Sequence, residues 1–259
     1  MREIGKWAAI TLWLIVALLI GYTLGGQRPS GDQLDILHPL AFGVRGGEPA
    51  IVGCSERIVE VPFVHRNLPY PFRGRVLDVG YRESQVIYEL SSLGFESWGI
   101  DIRPPLVKFS GVEHVVGDIC QYPFPAGHFD VVISLSTIEH IGLLGYGNLN
   151  YDPEGDLHAL QGIHRALKPN GRLILTVPFG KRGQTVSSRF YDHESLLALL
   201  ARARFEVETE DYWHQQGMRW MPTSWEVAEQ TDSLTTNVTR AVACIRARPT
   251  SSPADPPRA

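Results

Sequence analysis

The stretch RVLDVGYRES, residues 75–84, decides the fold of this chain. Its apolar start predicts a buried strand, Gly80 predicts a tight turn, and the residues that follow predict the start of a helix. A second predicted strand ends at Asp101, 21 positions after the turn glycine. A strand, a glycine turn, a helix and an acidic strand end are together typical of a nucleotide-type ligand site on a doubly wound sheet.

Strand and helix patterns alternate along the rest of the chain. This alternation predicts parallel strands joined by right-handed crossovers, and so an α/β, Rossmann-like doubly wound fold. The predicted strands are Val76–Val79, Phe95–Ile100, Val112–Val116, Phe129–Leu135, Arg172–Val177, Phe205–Glu210 and Val238–Arg246. The predicted helices are Ser84–Leu93, Asp156–Leu167 and Asp192–Arg202, with a turn at Lys168–Gly171.

Length, composition and charge set limits on the class of protein. The chain has 259 residues, 44% of them hydrophobic, which suits one globular domain with appendages. Its formal net charge is −4 and it has no dense run of Lys or Arg, so we expect no nucleic-acid partner. Its three cysteines have neither zinc-ligand spacing nor a CxxC pair, which fits a reduced compartment.

The N-terminal segment has the composition of a membrane span. Residues 7–24 contain no charge and as a helix would extend ~27 Å, about the hydrocarbon thickness. Trp7 and Tyr22 stand near its ends, as interfacial aromatic residues do. We expect an uncleaved single-pass transmembrane helix; the alternative is a cleaved signal peptide, although the LGGQ exit is a poor cleavage site.

The first turn is unsuited to a dinucleotide. A pyrophosphate-binding turn carries three glycines, whereas this chain has Gly80 alone and places Arg82 and Ser84 where later glycines would stand. The amino-acid end of S-adenosylmethionine needs less space than a pyrophosphate. Arg82 could pair with its carboxylate. We therefore expect S-adenosylmethionine as the cofactor.

Two further strand ends complete the expected cofactor site. Asp101 is placed to accept hydrogen bonds from the ribose hydroxyls, or alternatively to cap a helix. Asp118 is placed to accept from the adenine amino group, with Ile119 against the ring, or alternatively to form a simple turn. The predicted cofactor-binding residues are Asp78, Val79, Gly80, Tyr81, Arg82, Asp101, Ile102, Asp118, Ile119 and Ser134.

Five pieces of this sequence resemble class I S-adenosylmethionine-dependent methyltransferases, in the same order. They are LDVG (77–80), GID (99–101), GDI (117–119), PFP with HFDVV (123–132) and LKPNGRL (167–173). The resemblance covers residues 56–247 and implies a seven-stranded, mostly parallel sheet with an antiparallel last strand. DVGYRES together with STIEHIG (136–142) looks like a subgroup found beside glycan-assembly enzymes. The chain departs from the usual first motif at Arg82 and Ser84.

The segment after the strand Phe129–Leu135 is the expected catalytic region, because doubly wound folds bind ligands at the carboxyl ends of central strands. His140 is the candidate general base for a hydroxyl acceptor, and Glu139 could orient it or the substrate. The alternative is that both are structural hydrogen-bonding residues. Some relatives bind a metal with an additional glutamate here, but this chain has Ser136 in that place, so we expect no metal.

Two loops above the same sheet edge supply acceptor candidates. Tyr146 and Asp152 lie in a Gly-rich loop of the kind that forms lids and pockets. Arg189 would meet an anionic acceptor, or alternatively belongs to a solvated basic turn. The predicted acceptor is a small molecule, a glycan or a lipid-linked glycan, possible O-methylation being inferred from His140. The rival function is a non-catalytic cofactor-binding or scaffold domain at the membrane.

The predicted organisation assigns each segment one role. It comprises an N-terminal flank (1–6), the anchor (7–24), a linker (25–55), the methyltransferase domain (56–247) and a disordered tail (248–259). Basic residues on both sides of the anchor favour an outside domain by a margin of one. Because S-adenosylmethionine is made in the cytosol, we nevertheless expect the domain to face the cytoplasm. The sequence specifies no oligomeric state.

Overall fold

The computed structural model describes residues 40–45, 48–71, 73–148, 150–235 and 238–250. The predicted anchor, residues 7–24, lies outside these ranges, as do residues 251–259 of the predicted tail. Within the described ranges, no helix has both the length and the apolar character required to cross a membrane.

The end of the predicted linker contains regular structure. Strands β1 (Leu40–Arg45) and β2 (Glu48–Cys54) form a two-stranded sheet of their own. The linker prediction is therefore wrong for this part, because residues 40–45 and 48–54 form strands.

The remaining described residues form five helices and ten strands, beside two single-turn 3-10 helices at Tyr81–Glu83 and Ile138–His140. The helices are α1 (Arg57–Asn67), α2 (Val86–Leu93), α3 (Gly155–Ala166), α4 (His193–Arg202) and α5 (Trp225–Ala228). The strands are β3 (Arg75–Val79), β4 (Glu96–Asp101), β5 (Val112–Val116), β6 (Phe129–Leu135), β7 (Leu167–Pro178), β8 (Gly183–Gln184), β9 (Arg189–Phe190), β10 (Phe205–Gln216), β11 (Arg219–Thr223) and β12 (Ala241–Pro249).

The main sheet has the order β11-β10-β12-β7-β6-β3-β4-β5. Strands β7, β6, β3, β4 and β5 pair in parallel, while β12 runs antiparallel to both β7 and β10. The strand order reverses between β3 and β6, since the chain builds outward from β3 in one direction and from β6 in the other. A reversal of this kind opens a crevice at the carboxyl ends of the two strands.

Eight strands replace the seven that the resemblance implies. The additional strand is β11, which pairs with residues 212–216 of β10 as an antiparallel hairpin through Gly217. The sequence prediction ended the sixth strand at Glu210, whereas β10 continues to Gln216, with Trp213 opposite Pro222 across the hairpin.

The core fills both faces of the sheet. Helices α1 and α2 cover one face, where Phe63 and Ile87 join Val76 in one apolar cluster. Helices α3 and α4 cover the other face, where Leu160 and Leu196 join Leu77 in a second cluster. Because both faces are covered, the central strands are almost wholly apolar rather than alternating. This explains why the central strand β6 has the predicted bounds.

Two boundary predictions are wrong. The segment Lys168–Gly171, predicted as a turn, lies within β7, which begins at Leu167 and pairs with Phe129 across a bulge. Strand β12 extends to Pro249, so the first two residues of the predicted tail belong to the sheet.

Candidate active site

A cavity of about 670 Å³ opens at the carboxyl ends of β3, β4 and β6. Its volume is within the ~300–1,000 Å³ typical of small-molecule sites. Val79, Asp101 and Asp118 meet around it, although they come from three different strand ends. The predicted site residues that line this cavity are Val79, Gly80, Asp101, Ile102, Asp118, Ile119, Glu139, His140, Tyr146 and Asp152.

Gly80 allows the two sides of the crevice to approach each other closely. Its φ is +80°, in the left-handed region that favours glycine, and its N–H donates to the carbonyl oxygen of Ile100 at 2.8 Å. A Cβ at this position would come within 2.4 Å of the Thr137 side chain. The turn after β3 therefore packs directly against the segment after β6, and only glycine fits between them.

The two strand-end carboxylates lie at the cavity wall. Asp101 accepts hydrogen bonds on Oδ1 from the Arg103 backbone N–H at 2.9 Å and from Arg103 Nε at 3.4 Å. Its Oδ2 accepts none from the described residues. Asp118 accepts on Oδ1 from the Cys120 N–H at 2.9 Å. Each carboxylate is thus held by the backbone on one oxygen, which leaves acceptor capacity for a ligand.

Four of the predicted cofactor-binding residues do not line the cavity. Asp78 and Ser134 are buried within the sheet, and their side-chain oxygens have no hydrogen-bond partner among the described residues. Burial raises the pKa of Asp78 to about 7, although the nearby Arg57 opposes this shift. A direct role for either residue in binding stays a prediction.

The other two residues of this group follow Gly80 directly. Tyr81 is fully buried, and its hydroxyl lies 3.1 Å from Nδ1 of His114. The Arg82 guanidinium donates to the carbonyl oxygen of Pro104. The predicted pairing of Arg82 with a cofactor carboxylate would require its side chain to leave this contact.

His140 lies at the cavity with its ring fixed from one side. Its Nδ1 lies 2.5 Å from the carbonyl oxygen of Ser187 and 3.2 Å from Oγ of Ser188. A carbonyl oxygen only accepts, so Nδ1 carries the proton and Nε2 is left as the basic nitrogen. Burial lowers the pKa of His140, an effect that the Ser187 contact opposes. The neutral imidazole is therefore favoured at neutral pH.

Glu139 is fully buried beside this imidazole. Its Oε1 is 3.6 Å from Nε2 of His140, beyond hydrogen-bond distance, and neither carboxyl oxygen has a hydrogen-bond partner among the described residues. Burial raises the pKa of Glu139 well above its ordinary value, and Glu60 adds to the effect. The buried environment therefore favours the protonated carboxyl group more than water does. The orientation of His140 comes from Ser187 and Ser188 instead.

The three predicted acceptor contacts have different environments. Tyr146 lines the cavity with its ring centroid 4.5 Å from that of His140. Asp152 also lines the cavity and pairs with Nδ1 of His158 at 2.7 Å. Arg189 is not among the lining residues: it is buried and donates to the carbonyl oxygens of Ile141 at 2.7 Å and Asp152 at 3.0 Å. Contact of Arg189 with substrate stays a prediction.

Sequence reasoning missed the contribution of helix α1. Glu56 and Arg57 line the cavity, and Arg57 pairs with the fully buried Glu60 at 2.5 Å. One sequence signal was present: an oppositely charged pair at i and i+3 in a segment that must also pack on the sheet. Charged residues on a buried face of a helix indicate that the helix contributes to a polar site and does not only pack on the sheet.

Comparison with known proteins agrees with this geometry. Residues 77–175 match a protein-family model described as a methyltransferase domain. No curated protein matches the chain by sequence.

Solved structures share the fold at low identity. A Methanosarcina mazei S-adenosylmethionine-dependent methyltransferase is 17% identical with a TM-score of 0.52, covering 74% of this chain and 98% of its own. One from Mesorhizobium loti is 14% identical with a TM-score of 0.50, covering 72% and 96%. The PH0226 protein of Pyrococcus horikoshii is 19% identical with a TM-score of 0.51, covering 75% and 90%.

The chain has the Rossmann-like fold that the compared methyltransferase structures share. The match of residues 77–175 to a methyltransferase-domain model points to S-adenosylmethionine as the cofactor. The cavity fits this cofactor chemically. It has strand-end carboxylates for ribose and adenine donors, a glycine turn for close backbone approach, and a histidine with a free basic nitrogen. Asp101, Asp118 and Gly80 are the residues that would hold the cofactor.

Proposed function

We propose that this protein transfers the methyl group to a hydroxyl of a small-molecule, glycan or lipid-linked glycan acceptor. The observation that supports oxygen as the methylated atom is the free Nε2 of His140 at the cavity wall. A hydroxyl is a weak nucleophile at neutral pH and benefits from a base that removes its proton during transfer. An amine or thiolate acceptor would have less need of such a base.

His140 would act with its neutral ring held in place. Nδ1–H donates to the Ser187 carbonyl, so Nε2 would accept the hydroxyl proton as the oxygen–methyl bond forms. When bound, S-adenosylmethionine supplies a methyl group activated by its positively charged sulfur. Methyl transfer is an in-line displacement, so the main task of the surrounding residues is to position the acceptor.

The cavity lining near His140 supports a hydroxyl-rich acceptor. Its side chains are mostly hydroxyl, amide and carboxylate groups beside one aromatic ring, a set that can bind many hydroxyls and one apolar sugar face. These residues are Tyr146, Asn148, Asn150, Asp152, Ser187 and Ser188. Tyr146 is 46% exposed, and its ring lies beside the Arg103 guanidinium and the His140 ring, with centroid distances of 5.3 and 4.5 Å.

The cellular setting is part of the proposal. Residues 7–24 would anchor the enzyme in the membrane, with the domain on the cytoplasmic side where the cofactor is made. Protease treatment of intact spheroplasts tests the orientation, because a cytoplasmic domain is protected until the membrane is opened. Digestion from outside would contradict this arrangement.

Methyl transfer from labelled S-adenosylmethionine tests the reaction. Purified full-length protein is incubated with lipid and glycan fractions, each supplied native and with its hydroxyl groups acetylated. We expect label in a native fraction, in a base-stable ether, and none after acetylation. Label that survives acetylation or is released by mild base would indicate another atom. Cofactor binding without transfer to any fraction would favour the rival scaffold function.

A further inference from the structure

Helix α1 brings a cation and a carboxylate to the cavity from outside the recognised motifs. Glu56 and Arg57 are consecutive in sequence, and both line the cavity that Gly80 and Thr137 also line. The Arg57 side chain is only 11% exposed. A charged side chain is rarely buried this deeply unless it is paired, so its partners indicate its purpose.

Only some of the hydrogen-bond donors of the Arg57 guanidinium have partners in the protein. Its Nη1 donates to Oε2 of Glu60 at 2.5 Å. Its Nε is buried without a hydrogen-bond partner, and Nη2 has none among the described residues. A guanidinium carries five N–H donors in a planar fork. A buried guanidinium with unused donors is therefore suited to a ligand carboxylate, which would accept two parallel hydrogen bonds.

The position of Arg57 is fixed by a network across the sheet. Oε1 of Glu60 accepts hydrogen bonds from Oγ of Ser136 at 2.6 Å and from Oγ1 of Thr176 at 2.7 Å. Glu60 is thus tied to the ends of β6 and β7, and Arg57 is tied to Glu60. A side chain held in this way loses little conformational freedom when it binds a ligand.

Arg57 lines the cavity together with Gly80, which follows β3, and Thr137, which follows β6. Arg57 opposes the rise in the pKa of Asp78, within β3, and of Glu139, after β6. Burial and the neighbouring Glu60 raise the pKa of Glu56 to about 6, so Glu56 carries a negative charge at neutral pH. Arg57 and Glu56 therefore present a cation and an adjacent anion to the cavity, which the paired residues Arg103 and Glu83 also line.

We propose that Arg57 binds the α-carboxylate of the cofactor's methionyl end and that Glu56 binds its α-ammonium group. The assignment rests on the proposed function, in that it requires S-adenosylmethionine in this cavity. An amino-acid zwitterion is the ligand group that satisfies both charges at once. Arg82, the candidate from sequence, is bonded to the Pro104 carbonyl and lies outside the cavity lining.

Cofactor analogues test this without dependence on activity. Calorimetry is run with S-adenosylmethionine, with its decarboxylated form, which keeps the amine, and with methylthioadenosine, which lacks the whole amino-acid end. Wild type is expected to bind the decarboxylated form at least tenfold more weakly than S-adenosylmethionine. Equal affinities for these two ligands in wild type would overturn the assignment even without any variant.

Substitutions test the roles of Arg57 and Glu56 one at a time. Arg57→Ala should bind S-adenosylmethionine and its decarboxylated form equally, whereas Glu56→Gln should weaken both and leave methylthioadenosine unchanged. Arg57→Lys keeps the charge but lacks the fork, so it should lie between wild type and Arg57→Ala. Arg82→Ala is the control and should retain wild-type affinities for all three ligands.

The failure of this assignment can be distinguished from the failure of the proposed function. A wild type that binds none of the three ligands overturns the proposed function together with this assignment. A wild type that prefers the carboxylate, with Arg57→Ala retaining the same preference, overturns only the assignment. If Arg82→Ala abolishes the preference, the carboxylate site belongs to Arg82.

Discussion

Nδ1 of His140 lies 2.5 Å from the carbonyl oxygen of Ser187, a residue 47 positions later in the chain. This single contact sets the tautomer of the ring and directs the basic role to Nε2. The carbonyl belongs to the loop between β8 and β9, so the state of the nitrogen proposed as the base depends on a segment with no recognised motif. The contact also explains why the adjacent Glu139 is not needed to orient the ring.

His140 should set the acid limb of the pH profile. Burial lowers its pKa, so kcat/KM for methyl transfer should rise with pH through a value below the usual ~6.5 and stay level above it. His140→Gln should lower kcat by ~10²–10⁴ and remove this limb. His65→Gln, a partly exposed histidine on α1, is the matched control. A profile that is unchanged in His140→Gln would rule out the base.

Gly80→Ala should damage both the fold and cofactor binding. The new Cβ would meet Thr137 at 2.4 Å, and the backbone at φ +80° strains any side chain. We expect a loss of about 2–4 kcal/mol in the free energy of unfolding and weaker binding of S-adenosylhomocysteine. Gly217→Ala is the control, because its φ is +61° but nothing lies within 4 Å of its Cβ. Equal losses in the two variants would mean that backbone strain alone is responsible.

Asp78 should make stability depend on pH in the cofactor-free protein. Its folded-state pKa of about 7 exceeds the ordinary ~3.9, so the folded state holds the proton more tightly. Stability is then fully present below pH ~4 and declines as pH rises towards 7, by at most about 4 kcal/mol. Asp78→Asn should flatten this decline in urea titrations at pH 5 and 7.5. A parallel decline in wild type and variant would show that other groups cause it.

Arg189→Ala should destabilise the protein rather than weaken acceptor binding alone. The buried guanidinium donates to the carbonyl oxygens of Ile141 and Asp152 and lies 3.7 Å from Oδ2 of Asp156. Its loss would remove a buried cation from all three groups, at about 2–5 kcal/mol in the free energy of unfolding. The Asp152 carbonyl would keep the Gly155 N–H and the Asp156 carboxylate would keep the Tyr191 hydroxyl. Arg182→Ala, an exposed residue of the same loop, should have no such effect. Normal stability with a raised KM for the acceptor would instead support the substrate role predicted from sequence.

The strand-end residues could be predicted from the sequence because each lies within a short motif of its own. Asp101 and Asp118 follow apolar runs, and parallel strands bring their carboxyl ends to one edge of the sheet. The contacts of the α1 residues were harder to predict from the sequence. Glu60 meets Ser136 and Thr176 across 76 and 116 positions, and no local pattern in a single sequence specifies such contacts.

The sequence by itself determined the alternation of strands and helices, the glycine turn and the acidic strand ends. These properties follow from residue periodicity and backbone preference, which act over a few positions. Only the tertiary structure decided which side chains share the cavity: it brought Arg57 to the cavity and turned Arg82 to Pro104. It also fixed the tautomer of His140 through Ser187. The physical reason is that burial, hydrogen-bond partners and charge environment depend on contacts between segments far apart in the chain.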